Sequence, residues 1–185
     1  SSGTSGINVG SSAVIILGSG KNSSVRDVVS NTSAGDYSAS LGGNNNNVDG
    51  SSPYSSIVGG NKNNIQDGAT GSGILGGFSH LVSDSDYSSI VGGESNYIAT
   101  TSNHSIIGGG LDHTINRTSQ FSVIGGGKNN LIDQSSSNNF IGAGSTNTIN
   151  GTTTASTIVG GSNNFIFDAS NYSNIVGGTK NTIGK

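Results

Sequence analysis

The chain has 185 residues, room for one domain by the usual length relation. Gly, Ser, Asn and Thr supply 106 of them, while 9% are charged and 5% aromatic, which excludes a conventional core of large side chains and also the charge-rich composition of a disordered segment. A net charge of −3, no Cys, and no apolar run near the roughly 20 residues of a membrane helix exclude a basic nucleic-acid platform, a disulfide framework and membrane insertion.

Read in chain order, residues 1–11 carry no repeat and form a degenerate N-terminal segment or weak cap. From residue 12 to 185 the chain is a single repeat domain. One glycine per unit marks it: Gly20, Gly43, Gly60, Gly77, Gly93, Gly110, Gly127, Gly144, Gly161 and Gly178. The first spacing is 23, and the rest are 17 except for one of 16 before Gly93. The first gap therefore reads as a six-residue insertion around residues 29–36. A fixed period of this kind is the signature of a repeat architecture.

The columns of the repeat carry the structural signal. Five residues after each glycine stands a β-branched aliphatic residue, from Val25 and Val48 through Ile65 and Ile98 to Ile183. Three residues before it stands Leu17, Ser40, Ile57 and then Ile in every later unit. Such residues favour strands, whereas a Gly-Gly pair in nearly every unit costs a helix about 1 kcal/mol per glycine. The expected fold is all-β, a β-solenoid (β-roll or β-helix) of about ten 17-residue coils stacked at about 4.8 Å. The two aliphatic columns become inward ladders, and the glycines become sharp bends or close backbone approaches.

Three residues after the glycine, Asn46, Asn63, Asn96, Asn130, Asn147, Asn164 and Asn181 form an Asn column, with Ser23, His80 and His113 in the other units. An inward Asn satisfies turn backbone groups and bonds its stacked neighbours. A Ser column lies five before the glycine, and a partial ring column one residue earlier, with Tyr37, Tyr54, Tyr87, His104, Phe121 and Tyr172.

An outward row has its own rule. Positions four and two before the glycine share a strand face. Where the later one is Gly (Gly18, Gly108, Gly125, Gly142) the earlier one is Ile16, Ile106, Val123 or Phe140. Elsewhere the later one is Leu41, Val58, Leu75, Val91, Val159 or Val176, and the earlier one is small or polar. Each coil thus offers one apolar group, and these ten residues are the expected oligomer interface.

No catalytic, cofactor-binding or metal-binding residue is assigned. His80 and His113 replace Asn, and His104 replaces a ring, so each is a repeat element. Asp27, Asp49, Asp67, Asp84, Asp133 and Asp168 fall in turns. The Gly-Gly pairs lack the Lys-Ser/Thr and helix of a phosphate loop. Six Asn-x-Ser/Thr sequons, at Asn22, Asn31, Asn103, Asn116, Asn150 and Asn171, are no more than chance predicts for this composition. Lacking an initiator Met and any cap after the regular tenth unit, the chain is expected to be a piece of a longer solenoid or to be continued head to tail by the next copy.

The Ile-Val-Gly-Gly-x-x-Asn-x-Ile units resemble the Gly-rich repeats of trimeric autotransporter adhesin heads and of viral and phage fibre proteins, over residues 12–183. A weaker resemblance is to ryegrass-type antifreeze β-rolls, carried by Gly161-Ser162-Asn163-Asn164-Phe165-Ile166. The first resemblance implies a non-catalytic structural or adhesive fibre or spike module. It would lie outside the cell, on a cell or virion surface, and assemble as a trimer or filament. Its partners would be further copies of itself and a surface glycan or receptor. The second implies ice binding through an outward Thr array, and the column four after the glycine is irregular for that purpose.

Overall fold

The computed structural model describes residues 15–17, 19–21, 24–26, 31–167 and 169–184, and of 15–17 and 24–26 the backbone alone. Among the described residues there is no helix. Very short strands alternate between two sheets. β1 (Ile15–Leu17), β2 (Ser24–Arg26) and β4 (Ala39–Ser40) begin one sheet, and β3 (Thr32–Ser33) and β5 (Asn47–Val48) the other. From there each coil gives one strand to each sheet, as far as Asn174–Ile175 and Thr182–Ile183. The strands pair in parallel with their equivalents in the neighbouring coils. The fold is a β-solenoid of about nine turns with about 17 residues per turn. A further ladder of single parallel bridges runs along one turn from Asn44 through Asn61 and Phe78 to Thr179.

The register is continuous. Ser89 pairs with Ile106 and Ile90 with Ile107, and further on Phe140 pairs with Thr157 and Ile141 with Ile158. The coils therefore stack without slippage at both places where the outward apolar residue changes column. The two aliphatic columns face inward: Ile57, Ile74, Ile90 and Ile107 of the first sheet and Ile65, Val82, Ile98 and Ile115 of the second are fully buried. Each such side chain contributes about 1.5–3 kcal/mol. A circuit of 17 residues leaves room for little else.

Polar columns close the interior. Asn63 is representative of the Asn column. Its N–H donates to Asn46 Oδ1 at 3.1 Å in the preceding coil. Its Oδ1 accepts the His80 N–H of the following coil at 3.0 Å. Its Nδ2 donates to the Gly59 carbonyl at 2.9 Å and to the Gly77 carbonyl at 3.2 Å. One side-chain amide thus satisfies three backbone groups that a sharp turn would otherwise leave buried and unpaired, and its own N–H is satisfied by the amide one coil earlier. The Ser column works similarly: Ser105 Oγ accepts the Ser122 N–H at 3.2 Å and donates to the Ser119 carbonyl at 3.2 Å. A third inward row, not read from the sequence, holds Ser52, Ala69, Ser85, Ser102, Ser119, Ser136 and Thr153, all fully buried.

The first unit departs from the expectation. β1 and β2 pair antiparallel, Ile16 opposite Val25, so the Gly20 unit is not a coil of the stack. Val25 pairs with Ser40 in the first sheet rather than extending the column of Val48. Ser33 pairs with Val48 instead, and Asn31 heads the Asn column by accepting the Asn46 N–H at 2.8 Å. Residues 31–36, counted as insertion, are therefore part of a coil, and 27–30 lie outside the described residues. Counting glycines misplaced this unit because its second-sheet strand carries Thr and Ser, which are indistinguishable from loop residues in so polar a chain.

Each coil also turns through left-handed single residues that are not glycine, among them Tyr54 (φ 59°), Lys62 (φ 59°), Tyr87 (φ 53°) and Asp112 (φ 54°). Their N–H groups bond to the preceding coil: Tyr54 to the Asp36 carbonyl at 2.9 Å, Lys62 to the Asn44 carbonyl at 2.9 Å. These bonds offset a conformational cost of about 1–2 kcal/mol per residue.

The two glycines of each pair are not equivalent. Gly93 has φ of +93°, and a Cβ there would strike the backbone of Gly110 in the next coil. A Cβ on Gly92 would meet nothing within 4 Å. Gly93→Ala should therefore lower the unfolding free energy by roughly 2–3 kcal/mol, and Gly92→Ala should be neutral or stabilising by about 0.4–1 kcal/mol. Urea melts followed by circular dichroism measure both, and equal midpoints for the two variants would contradict the assignment.

Candidate binding surfaces

Four features outside the ordinary repeat are candidates for function: the outward apolar row of the first sheet, the ring column, the interior histidines and the outward face of the second sheet.

The apolar row lies on the surface. Leu41, Val58, Leu75, Val91, Ile106, Phe140 and Val159 are each 41–53% exposed, Val123 is half-buried, and Val176 on the last coil is 78% exposed. The Ile16 side chain lies outside the described residues. Parallel pairing sets these groups in one line along the rod, with a sideways step at Ile106, Val123 and Phe140. The step has a cause within the chain. A Cβ on Gly125 would lie 2.3 Å from the Gly142 carbonyl oxygen of the next coil, and one on Gly142 would lie 2.4 Å from the Val159 carbonyl oxygen and 3.2 Å from the Phe140 ring. At Gly108 and Gly125 the backbone of the next coil alone fills that space, and at Gly142 the Phe140 ring adds to it. By contrast, Gly59, Gly76, Gly92, Gly160 and Gly177, beside the straight part of the row, have nothing in the chain that would exclude a side chain.

The ring column is a ladder along one corner. Tyr37 and Tyr54 stack at 5.2 Å between centroids with planes 3° apart, and His104 lies 5.2 Å from Tyr87 and 4.9 Å from Phe121. Stacking consumes the faces and leaves edges to solvent. At Gly71 the column has no ring, and Tyr87 leans over that glycine.

His80 and His113 take the place of Asn in the interior, as expected, and both are buried. Nδ1 of each accepts the N–H of the next coil, Asn96 for His80 and Asn130 for His113, at 3.1 Å. Nδ1 is therefore the unprotonated nitrogen and the ring is neutral. Nε2 of each lacks a hydrogen bond of ordinary geometry, because the ring is longer than the amide it replaces. Burial lowers both pKa values below the usual 6.5; the Gly93 carbonyl opposes this at His80, and the Gly127 carbonyl, Asp112 and Asn130 oppose it at His113.

The carboxylates sit in turns. Asp49 accepts the Ser51 N–H at 3.1 Å, the Ser52 hydroxyl at 2.7 Å and the Asp67 N–H at 2.9 Å. Asp67 is held below the usual carboxylate range by hydrogen bonds from Ser83 and then Gln66. Asp133 pairs with Arg117 at 3.5 Å. Asp27 and Asp168 lie outside the described residues. Of the sequons, Asn31 is buried with both ends of its amide engaged, so it is no surface acceptor.

On the second sheet the outward positions behave differently along the rod. Near its start they bond one another: Thr32 to Asn47, Asn47 to Asn64 at 2.8 Å, and Asn64 to Gln66. Further along, Phe165 and Phe167 stand beside Thr148 and Asn150, bordering a notch of about 310 Å³. Nothing in the sequence marks this place, where Phe165 is one of several unlike residues in the column four after the glycine.

Compared with known proteins, the chain matches no family model and no curated sequence.

The histidines give a pH test. The unfolded chain takes up protons on them below about pH 6.5, the folded chain only at lower pH, so their contribution to stability is complete above 6.5 and declines as the pH falls. His80→Asn/His113→Asn restores the prevailing residue of the column. Its melting temperature should fall less between pH 7 and pH 5 than that of the unaltered chain. Parallel losses in the two proteins would show that the imidazoles do not titrate with unfolding.

Proposed function

We propose that this β-solenoid is a non-catalytic structural and adhesive module of a fibre or spike, working outside the cell on a cell or virion surface and associating with copies of itself along the outward row of its first sheet. The observation that carries the reading is that row. It is a line of apolar side chains, one in each of nine successive coils and exposed in all but Val123, on a face where its neighbours are mostly Ser, Thr, Asn and Gly. Apolar surface arranged continuously and ringed by polar groups is a feature of protein contacts. The glycines beside it add support, because a closely packed neighbour is the kind of constraint that would keep Gly59, Gly76 and Gly92 small where the chain itself does not. The resemblance of the repeat to adhesin-head and fibre repeats points the same way.

Ice binding is less well supported. Thr114, Thr148 and Thr182 stand two coils apart on the second sheet, and Leu131 and Phe165 interrupt them. A flat Thr array is the feature that reading requires.

Sedimentation equilibrium tests the assembly. The unaltered chain should be an oligomer at micromolar concentration. Val58→Lys/Val91→Lys/Val159→Lys places three charges on the row and should yield monomers with unchanged β-sheet circular dichroism. An unaltered chain that stays monomeric at high concentration would refute self-association through this row.

A further inference from the structure

The notch on the second sheet is built from side chains that the solenoid does not need. Phe165 and Phe167, two residues apart on one extended stretch, face outward side by side. One coil earlier the same two positions hold Thr148 and Asn150, followed by Gly151; Gln134 follows Asp133 one coil before that. A coil of short residues between two coils of longer ones leaves the hollow, and Gln134, Thr148, Asn150, Gly151, Phe165 and Phe167 line it.

Its polar groups are uncommitted. At the start of the rod the equivalent Asn47, Asn64 and Gln66 form a chain of hydrogen bonds along the surface. Here Asn150 Oδ1 is buried and has no partner at all. The amide serves neither the Asn column nor a neighbouring rung, so it turns about its last torsion without losing a bond. Among the described residues the lining contains no charged side chain, and the adjacent Asp133 pairs through Oδ2 with Arg117.

Two phenyl rings on one wall and an amide, a hydroxyl and a second amide on the other select for a ligand with one apolar face and a rim of hydroxyls. A neutral pyranose has that shape: its axial C–H face packs on an aromatic ring, and its equatorial hydroxyls reach amides. The volume is at the lower end of the roughly 300–1,000 Å³ of small-molecule sites, enough for one or two sugar rings. A charged sugar would find no counter-charge among the described lining residues.

We propose that this notch binds a neutral pyranose of a surface glycan, with Phe165 and Phe167 as the stacking wall and Gln134, Thr148 and Asn150 as the polar wall. The site deepens the adhesive reading above and rests on it for the ligand's place on another surface. It lies on the sheet opposite the apolar row, so the two activities separate.

The test titrates the full chain, carrying isotope-labelled Phe, with maltotriose, mannotriose, β-galactobiose and triacetylchitotriose, and reads the ring signals by NMR. At least one sugar should shift Phe165 and Phe167 at millimolar concentration. Phe165→Thr, which copies the residue above and below it in the column, should keep the melting temperature and weaken binding about tenfold or more. No shift with any of the four sugars overturns the proposal, as does equal affinity in the Thr variant. The triple Lys variant of the apolar row should bind the sugar as the unaltered chain does. A monomeric chain that binds sugar therefore refutes only the assembly, and an oligomer that binds none refutes only this site.

Discussion

Everything in this molecule follows from hydrogen bonding between successive coils at a spacing of about 4.8 Å. Once the backbone of one coil is bonded to the next, each side chain lies directly over its equivalent, and each column must be compatible with itself. Ile over Ile packs, Asn over Asn relays a hydrogen bond, and Tyr over Tyr stacks. A lone buried charge has no such solution, which accounts for the scarcity of Lys, Arg, Asp and Glu. The glycines obey the same rule, since the close passage of Gly93 beneath Gly110 recurs at each corresponding bend.

The sequence disclosed the columns that are chemically unusual against its own background. Aliphatic side chains are chemically distinct enough from Ser, Asn and Gly that their recurrence at Ile57, Ile65, Ile74 and Val82 was decisive, and both rows are indeed interior. The Asn column was equally legible, with its two histidines. The buried row of Ser85, Ser102 and Ser119 was not, because a serine column is lost among so many serines. The first unit failed for a related reason: Asn31, Thr32 and Ser33 have the right geometry but none of the distinguishing side chains.

The candidate surfaces divide in the same way. The outward row was visible as a rule of exchange, yet part of that rule arises inside the chain, where Phe140 covers Gly142. Gly125 and Gly142, two before the repeat glycine, are required by their own neighbours, whereas Gly59 and Gly76, one before it, are not. The notch was invisible because it is defined by what its residues leave unbonded. Gln66 and Asn150 are both side-chain amides at the same position of their coils; one is held in a relay and the other is not.

The three polar rows that share the interior with two aliphatic ones have a calorimetric consequence. Exposing apolar surface on unfolding raises the heat capacity, and exposing polar surface lowers it. A rod whose interior is as much amide and hydroxyl as methyl therefore unfolds with a small heat-capacity increment for its length. Its stability curve is correspondingly flat, so that cooling and warming alike remove little of the free energy that holds the coils together.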